Sequence, residues 1–331
     1  MKAIVSGGAG FIGSHLVELL LDEGHIVTVL DNFSTGRIEN LESLKNKENL
    51  NVVKADITEI QSIAPYFSGK DWVFHLAALA DIVPSIEEPV RYHKSNVDGT
   101  VNVLECARSN GIKRFVYAAS SSCYGADPDV PTYEECALSP QYPYALTKYA
   151  GEQYVMHWGK VYGLEVVSLR LFNVYGPRAR TSGAYGAVLG VFLAQKLAGK
   201  PFTIVGDGEQ KRDFVFVKDV ARAFKMAAES EVTGEVFNVG TGSPVSVNTL
   251  AEFLGGEKVY IPKRPGEPDS THAETSKIFS AFGWKALVPF ERGVSLCLER
   301  IDHWKGAPVW TPVSIEESTR AWFKYLSEKK G

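Results

Sequence analysis

Three residues near the middle of the chain could together move a proton: Ser120, Tyr144 and Lys148. Ser120 closes an apolar stretch in A-A-S-S-S-C-Y-G, and Tyr144 and Lys148 stand four residues apart in Y-A-L-T-K. Side chains at that spacing share one face of a helix. A free tyrosine has a pKa of about 10, and a nearby cation favours its phenolate. The sequence therefore predicts that Tyr144 is a base for a hydroxyl proton. Lys148 would lower its pKa, and Ser120 would hydrogen-bond the reacting oxygen.

The spacing Y-x-x-x-K is a weak signal alone, because the chain contains it three times. The tyrosines are Tyr66, Tyr144 and Tyr325. Tyr66 precedes a glycine-containing loop, and Tyr325 lies in a polar C-terminal tail. Only Tyr144 begins a predicted helix after a strand that ends in hydroxyl groups. Position in the fold therefore selects Tyr144.

A glycine-rich turn follows the first predicted strand, K-A-I-V-S. The run G-G-A-G-F-I-G places Gly7, Gly10 and Gly13 in the spacing G-x-x-G-x-x-G, with Phe11 and Ile12 between them. A strand, a glycine turn and a helix bring backbone amides and a helix N-terminus to a pyrophosphate. This segment predicts a dinucleotide site.

The next strand, I-V-T-V-L, ends at Asp31, eighteen residues after the last glycine of the turn. A carboxylate there accepts hydrogen bonds from ribose hydroxyls and repels a 2′-phosphate, which favours NAD over NADP. Small residues in A-A-L-A, after the strand at 72–76, suit close approach to the cofactor. The other predicted cofactor contacts are Asn32, Asp56, Ile57, Ala77, Ala78 and Asn96.

Apolar strands alternate with helices through the first half of the chain. Strands are predicted at 2–6, 26–30, 50–54, 72–76, 114–119 and 165–172, with helices at 90–110 and 143–162. Six such strands predict a doubly wound parallel α/β sheet with right-handed crossovers. Ligands bind at the C-terminal ends of strands in such a sheet. We expect residues 1–175 to form a Rossmann domain that binds NAD.

The pattern loosens after Gly176-Pro177, and residues 176–331 are expected to form a smaller mixed α/β lobe, mainly for substrate. A helix is predicted at 188–198 and a strand at 202–205. A further helix is expected to be capped by Asp219. The strand E-V-F-N-V-G-T-G suggests that the chain returns to the first domain around residues 213–240.

Composition narrows the class of protein. The chain has 331 residues, 45% hydrophobic and 22% charged, with a net charge of −4. That charge disfavours a nucleic-acid partner, and no apolar run approaches the roughly 20 residues of a membrane span. The first residues enter a strand at once, which leaves no room for a signal peptide. The four cysteines show no metal-ligand spacing. We expect a cytoplasmic protein with reduced thiols.

Taken together, these motifs resemble the extended short-chain dehydrogenase/reductase family, and within it the sugar-nucleotide 4-epimerases. The resemblance rests on the glycine turn, Asp31, A-A-S-S-S-C-Y-G, Y-A-L-T-K and L-R-L-F-N-V-Y-G-P-R. It implies that Asn173 contacts a nucleotide diphosphate whose charge Arg212 and Arg264 balance. It further implies a catalytic role for Ser121, substrate contacts from Ser85, Ser122 and Thr271, and a homodimer formed through the helices near Asn96 and Tyr144.

The implied reaction is oxidation followed by reduction of one sugar carbon. Tyr144 would take the proton of the C4 hydroxyl while hydride moves from C4 to NAD. The 4-keto sugar would turn about its diphosphate link and take hydride back on its other face. The cofactor supplies the hydride chemistry, and the protein orients the reactants.

Two alternatives on the same scaffold are 4,6-dehydration and decarboxylation. Family dehydratases carry Asp-Glu, or a Glu, in the two positions after the residue that matches Ser120, and UDP-xylose-forming decarboxylases carry Glu in the second. Here those positions are Ser121 and Ser122, which disfavours elimination. A non-catalytic NAD-binding regulator is the alternative from another class; the intact Ser120, Tyr144 and Lys148 argue against it.

The sugar is the least constrained part of the prediction. In the family, a bulky aromatic near the hexose excludes N-acetylated sugars, and the matching residue here is Thr271. The A-A-S-S-S strand and the S-G-A-Y-G-A-V loop also resemble enzymes that prefer N-acetylated sugars. We therefore favour UDP-N-acetylglucosamine and its 4-epimer, with UDP-glucose and UDP-glucuronate still open.

Overall fold

The fold is built around a seven-stranded parallel sheet. The computed structural model describes residues 1–181 and 187–327. The strands are β1 Lys2–Ser6, β2 Ile26–Asp31, β3 Leu50–Lys54, β4 Trp72–His75, β5 Arg114–Ser120, β6 Val166–Leu171, β7 Asn173–Tyr175, β8 Phe202–Val205, β9 Lys211–Arg212, β10 Phe214–Phe216, β11 Glu235–Val239, β12 Val245–Ser246 and β13 Lys258–Ile261. The sheet order is β11-β6-β5-β4-β1-β2-β3, so the predicted doubly wound fold is confirmed.

Helices cover both faces of this sheet and build the smaller lobe. They are α1 Phe11–Asp22, α2 Ile60–Ile63, α3 Ile82–Glu87, α4 Pro89–His93, α5 Gly99–Ser109, α6 Pro143–Tyr162, α7 Val188–Leu197, α8 Val217–Glu229, α9 Val247–Leu254, α10 Ser276–Phe282, α11 Phe290–Leu298, α12 Pro312–Ser318 and α13 Arg320–Leu326. Short 3₁₀ turns lie at Ile38–Leu44, Ala64–Tyr66, Ser121–Tyr124 and Ile301–Trp304. Among the described residues, no helix is long and apolar enough to cross a membrane.

The central strands are mainly apolar because both faces of the sheet are buried there. Successive side chains of a strand point to opposite faces. Val5 of β1 packs in the layer that holds Leu16 of α1 and Phe224 of α8. Ile4, next to it, packs in the other layer with Leu104 of α5. Two helical layers thus fix the sheet edge at which the strands end.

The chain returns to the sheet late in the sequence. Strand β11 pairs in parallel with β6, with Phe237 opposite Leu169. Helix α8 packs on α1 beneath the sheet. Residues 217–239 therefore build the sheet layer, although they follow the first elements of the smaller lobe.

The smaller lobe has a core of its own. Strands β8 and β13 pair in parallel, and the rings of Phe192 and Phe202 stack with centroids 4.8 Å apart. Trp304 and Leu250 are buried in the same cluster. This core holds α7 and the segment after β13 against the ligand edge of the sheet.

Two local predictions need correction. Helix α8 begins at Val217 with Phe216 as its N-cap, so Asp219 is not the capping residue. Its buried carboxylate instead accepts backbone hydrogen bonds from Leu287 at 3.0 Å and Val288 at 2.9 Å, because a later segment of the chain supplies those donors. The helix predicted at 90–110 is not one regular α-helix, because a π turn at Lys94–Asp98 lies between α4 and α5.

Candidate active site

One cavity of about 670 Å³ lies where the strand ends of the sheet face the smaller lobe. Among the residues predicted to bind cofactor, its wall contains Gly7, Gly10, Phe11, Ile12, Gly13, Asp31, Asn32, Ile57, Ala77 and Ala78. Among those predicted to act on substrate, it contains Ser120, Ser121, Ser122, Asn173, Arg212, Arg264 and Thr271. The fold thus gathers residues from distant parts of the sequence around one space. Asp56, Ser85, Asn96, Tyr144 and Lys148 do not line this wall.

The glycine turn is built so tightly that side chains would not fit. Gly7 has a φ of +73°, and a Cβ there would lie 2.7 Å from the backbone nitrogen of Ala77. A Cβ on Gly13 would lie 2.2 Å from the carbonyl oxygen of Gly7. Helix α1 starts directly after Gly10, without a side-chain cap on its first amides. A turn of this shape, next to free helix amides, fits the pyrophosphate of a dinucleotide.

Asp31 ends strand β2 on the cavity wall. Its carboxylate oxygens accept backbone hydrogen bonds from Ala9 at 3.0 Å and Phe33 at 2.9 Å. Burial raises the pKa of this carboxyl group, and the two hydrogen bonds oppose the rise. Each carboxylate oxygen has a second lone-pair direction left for a ribose hydroxyl. The position and charge of Asp31 fit NAD better than NADP.

Of the other residues predicted to contact the cofactor, some line the cavity wall and others hold that wall in place. Ile57 lies on the wall, whereas the Asp56 carboxylate accepts a hydrogen bond from Asn32 at 2.9 Å. Asn96 is buried and holds the backbone of Leu79, with its Oδ1 2.8 Å from the Leu79 nitrogen and its Nδ2 2.9 Å from the Leu79 oxygen. Asn96 therefore positions the loop after β4 on the cavity wall.

The three serines lie where β5 ends. Ser120 and Ser122 bring their hydroxyl oxygens within 2.9 Å of each other, and the backbone nitrogen of Ser122 donates to Ser120 Oγ at 3.2 Å. This local bond starts the 3₁₀ turn Ser121–Tyr124. All three serine side chains are partly exposed to the cavity. They offer hydroxyl groups and no carboxylate to a ligand.

Tyr144 and Lys148 lie one turn apart on α6, as predicted. Lys148 is buried, and its ammonium nitrogen lies 4.3 Å from the centre of the Tyr117 ring. Burial lowers the pKa of Lys148 to about 7, and the Glu152 carboxylate opposes that change. Burial raises the pKa of Tyr144, opposed by a hydrogen bond with Ser120.

The predicted lowering of the Tyr144 pKa is therefore not what the protein's own groups produce. Burial destabilises the phenolate form of Tyr144 more than the hydrogen bond with Ser120 stabilises it. The Lys148 ammonium group faces the ring of Tyr117. Lys148 therefore does not reverse the effect of burial on the Tyr144 pKa, contrary to the prediction.

The opposite wall is positively charged. Glu267 joins two arginines, accepting from Arg212 Nη2 at 2.9 Å and lying 3.2 Å from Arg264 Nε. Thr271 donates to Asn173 Oδ1 at 2.8 Å. These residues are far apart in sequence, and the lobe brings them to one side of the cavity. A pair of guanidinium groups held by one carboxylate fits a diphosphate.

Ser85 is not placed with these residues. It is fully buried in α3, and its hydroxyl donates to the carbonyl oxygen of Ile82 at 2.6 Å. Its proposed contact with a hexose gains no support from this position, since a local helix bond satisfies its hydroxyl. The S-G-A-Y-G-A-V loop that suggested an N-acetylated sugar lies mostly outside the described residues.

Comparison with known proteins agrees with this geometry. Residues 3–240 match the family described as the NAD dependent epimerase/dehydratase family. The chain belongs to the NAD-dependent epimerase/dehydratase family. The resemblance in the sequence motifs is thereby confirmed, and NAD is the cofactor that the glycine turn and Asp31 would hold.

Several members of the epimerase/dehydratase family are similar over almost their whole length. The UDP-glucose 4-epimerase of Mycolicibacterium smegmatis is 37% identical over 90% of this chain and 98% of its own. The solved UDP-N-acetylglucosamine 4-epimerase of Methanobrevibacter ruminantium, in complex with UDP-N-acetylmuramic acid, has 36% identity and a TM-score of 0.85, covering 90% of this chain and 98% of that one. The UDP-glucose 4-epimerase of Thermotoga maritima, solved with UDP-glucose, has 36% identity and a TM-score of 0.85, over 92% and 99%.

The cavity of this family member also contains residues that the sequence analysis missed. Tyr142, Tyr124, Glu267 and Trp322 all line it. Tyr142 stands two residues before Tyr144, and Glu267 stands three residues after Arg264 in the run R-P-G-E, so both carried a signal. Trp322 lies in the C-terminal tail and carried none.

Proposed function

We propose that the protein is an isomerase that epimerises a nucleotide sugar at C4, with UDP-N-acetylglucosamine and UDP-N-acetylgalactosamine as the favoured pair. UDP-glucose and UDP-galactose are the second pair. The observation that carries the proposal is the wall at the end of β5, where Ser120, Ser121 and Ser122 stand with Tyr144 and Lys148 close by. These side chains can remove a hydroxyl proton, and Ser121 and Ser122 offer no carboxyl group for a second step.

The proton path follows from the positions of these groups. Ser120 faces the cavity and hydrogen-bonds Tyr144, so a hydroxyl proton can pass through Ser120 to the phenolate. Such positioned acid–base help raises rates by about 10²–10⁴. NAD, when bound, supplies the acceptor and donor of the hydride at C4. Lys148 lies one turn along α6 from Tyr144, and burial lowers its pKa to about 7.

The nucleotide end is proposed to bind at Arg212 and Arg264. Their guanidinium groups share Glu267, at 2.9 Å and 3.2 Å, so they are already gathered on one side of the cavity. A bidentate guanidinium matches phosphate oxygens in geometry and charge. Asn173, fixed by Thr271, stands beside them as a further donor. An anchored diphosphate leaves the hexose free to turn, which the reaction requires.

The space beside Thr271 favours a sugar that carries an N-acetyl group. Thr271 is small, and the Thr271 hydroxyl is engaged with Asn173 rather than directed to an acetyl oxygen. We keep UDP-glucuronate as a third sugar, because the argument from Thr271 concerns size and not charge.

Elimination and decarboxylation are the competing reactions. Both need an acid or base beyond Tyr144, and the positions used for it in related enzymes are Ser121 and Ser122 here. A non-catalytic NAD-binding role is the competitor from another class. The grouping of Ser120 beside Tyr144, with Lys148 one turn further along α6, favours an enzyme over that role.

A cytoplasmic homodimer with a sheet domain for NAD and a lobe mainly for substrate completes the proposal. Val97, next to Asn96, and Val155 on α6 are buried inside the protomer. Tyr154 and Tyr162 on α6 are exposed instead, at 41% and 51%. Aromatic side chains are common in interface cores. A molar mass near twice 36.3 kDa by light scattering would support the dimer, and a monomer would refute it.

Product identity tests the proposed reaction. The purified protein, supplied with NAD, is incubated separately with UDP-N-acetylglucosamine, UDP-glucose and UDP-glucuronate, and the sugars are followed by NMR. We expect a mixture of C4 epimers, formed fastest from the N-acetylated sugar. Release of CO₂ from UDP-glucuronate, or a 4-keto-6-deoxy product, would assign the other chemistry. No conversion of any sugar by NAD-loaded protein would leave only the non-catalytic role.

A further inference from the structure

We propose that Trp322 is a positioning residue for substrate binding, which fixes Arg264 on the diphosphate side of the cavity. The inference rests on the proposed function, because it assigns Arg264 to a nucleotide diphosphate. Trp322 lies in α13, close to the end of the chain, and lines the cavity while being only 4% exposed. A tail residue thus forms part of the substrate wall.

Two contacts tie Trp322 to the R-P-G-E segment. The guanidinium carbon of Arg264 lies 5.2 Å from the centre of the indole ring, within the range of a cation–π contact. The indole nitrogen donates to the carbonyl oxygen of the next residue, Pro265, at 2.6 Å. One side chain therefore holds both the charged group of Arg264 and the backbone that carries it.

The ring contact leaves Arg264 able to bind phosphate. A guanidinium group that lies over an aromatic ring contacts it with its face, so the ring contact does not involve the N–H edge. Glu267 lies 3.2 Å from Arg264 Nε along that edge, and it also accepts from Arg212. Trp322 and Glu267 thus fix Arg264 in two different directions. A guanidinium fixed in this way loses less freedom when a diphosphate binds.

Trp322 also reaches the catalytic side of the cavity. Its ring centroid lies 6.3 Å from that of Tyr142, and the Tyr142 ring is nearly parallel to that of Tyr144, at 6.4 Å and 9°. Helix α13 packs against α3, an element of the sheet domain. The indole therefore bridges the diphosphate arginine and the start of the catalytic helix. We infer that α13 sets the distance between the two ends of the substrate.

A purely structural role is the alternative, in which Trp322 only anchors α13. Trp322→Phe keeps the aromatic face and loses the indole N–H. Trp322→Leu keeps apolar volume but has no face to hold a cation. Positioning through Arg264 predicts that these two variants differ in diphosphate binding. An anchoring role predicts that they behave alike. Tyr325→Ala, on the same helix at a 60% exposed position, is the control.

The experiment measures UDP binding by calorimetry to the NAD-loaded protein. We expect Trp322→Leu to weaken UDP binding about tenfold. Trp322→Phe should stay within about threefold of the wild type, and Tyr325→Ala should be unchanged. In an Arg264→Met background, Trp322→Leu should have little further effect, since contacting residues are coupled. NAD content and thermal unfolding of each variant are recorded alongside.

Equal UDP affinity of the Leu and Phe variants would overturn the inference. Full additivity of Trp322→Leu and Arg264→Met would overturn it as well. Failure of the proposed function gives a different result, in which the wild-type protein does not bind UDP. If Trp322→Leu does not fold, UDP binding is measured for Trp322→Tyr instead, because that variant keeps the aromatic face. A loss of UDP affinity as large as that of Arg264→Met would then contradict the positioning role.

Discussion

The ammonium nitrogen of Lys148 lies 4.3 Å from the centre of the Tyr117 ring, where helix α6 crosses strand β5. The Tyr117 hydroxyl donates to the backbone oxygen of Lys148 at 3.3 Å. An aromatic face attracts a cation, and the contact is stronger when both groups are out of water. Tyr117 thus partly offsets the burial that lowers the pKa of Lys148 to about 7.

Replacing the ring should change the charge of Lys148. Tyr117→Leu removes the aromatic face, so we expect the pKa of Lys148 to fall below that of the wild-type protein. Tyr117→Phe keeps the face and should leave the pKa near its original value. The measurement is a pH titration of the lysine ¹³Cε signals by NMR, with Lys148→Met to identify the signal. An equal Lys148 pKa in the Leu and Phe variants would contradict the role of the ring.

Tyr144→Phe removes the group that receives the proton. We expect at least a ~100-fold loss of turnover with NAD retained, since general-base catalysis contributes about 10²–10⁴. Turnover is measured by NMR of the sugar, and NAD content by absorbance after denaturation. Tyr66→Phe, in another Y-x-x-x-K run, is the matched control and should keep full activity. Near-wild-type turnover by Tyr144→Phe would remove Tyr144 from its role.

A buried ion pair joins the catalytic helix α6 to strand β6. Arg170 on β6 donates to both carboxylate oxygens of Glu152 on α6, at 3.0 Å and 2.7 Å. Removing one partner of such a pair leaves a buried charge and typically costs 3–5 kcal/mol. We expect Glu152→Gln or Arg170→Met to destabilise the protein by about that amount in urea unfolding. The double variant should lose less than the sum, and full additivity would argue against a coupled pair.

Acid should destabilise the protein through His75. This ring is fully buried between Ser6 and Thr100, and burial lowers its pKa to about 3. An unfolded histidine has a pKa of about 6.5, so the unfolded state binds the proton first as the pH falls. The stabilisation by neutral His75 is therefore complete above pH ~6.5 and is lost progressively towards pH ~3.

The matched variants for this effect are His75→Asn and His93→Asn. Urea unfolding between pH 7 and 4.5 should show a shallower loss of stability for His75→Asn than for the wild type, by up to about 1.4 kcal/mol per pH unit. His93 is exposed, and His93→Asn should follow the wild type. Parallel curves for wild type and His75→Asn would contradict the assignment.

Much of the NAD side of the cavity could be predicted from the sequence, because each of its parts is defined by residues that are neighbours in the sequence. The glycine turn, Asp31 and the hydroxyls after β5 each directly follow a buried strand, and parallel strands end at one edge. Tyr144 and Lys148 were predicted from helical spacing together with their position after a strand that ends in hydroxyl groups. The prediction that Asp219 caps a helix was wrong because the backbone groups that donate to its carboxylate, those of Leu287 and Val288, lie almost seventy residues later in the sequence.

The substrate side was harder to predict because it depends on long-range contacts. Trp322 meets Tyr142 and Pro265 only after the lobe has folded onto the sheet, and no spacing in the sequence reports this. The predicted hexose contact of Ser85 gains no support from the structure, since its hydroxyl bonds the backbone of its own helix, which its sequence neighbours do not reveal. The sign of the Tyr144 pKa change likewise depends on burial, which the motif does not contain.

The fate of the hydrogen at C4 tests the central claim most directly. UDP-N-acetylglucosamine carrying deuterium at C4 is incubated with the NAD-loaded protein in ordinary water, and the product is analysed by NMR and mass spectrometry. We predict UDP-N-acetylgalactosamine that retains the deuterium at C4, because the same hydride leaves and returns. Loss of the deuterium to solvent, or recovery of only the starting sugar from this and the UDP-glucose substrate, would contradict the account.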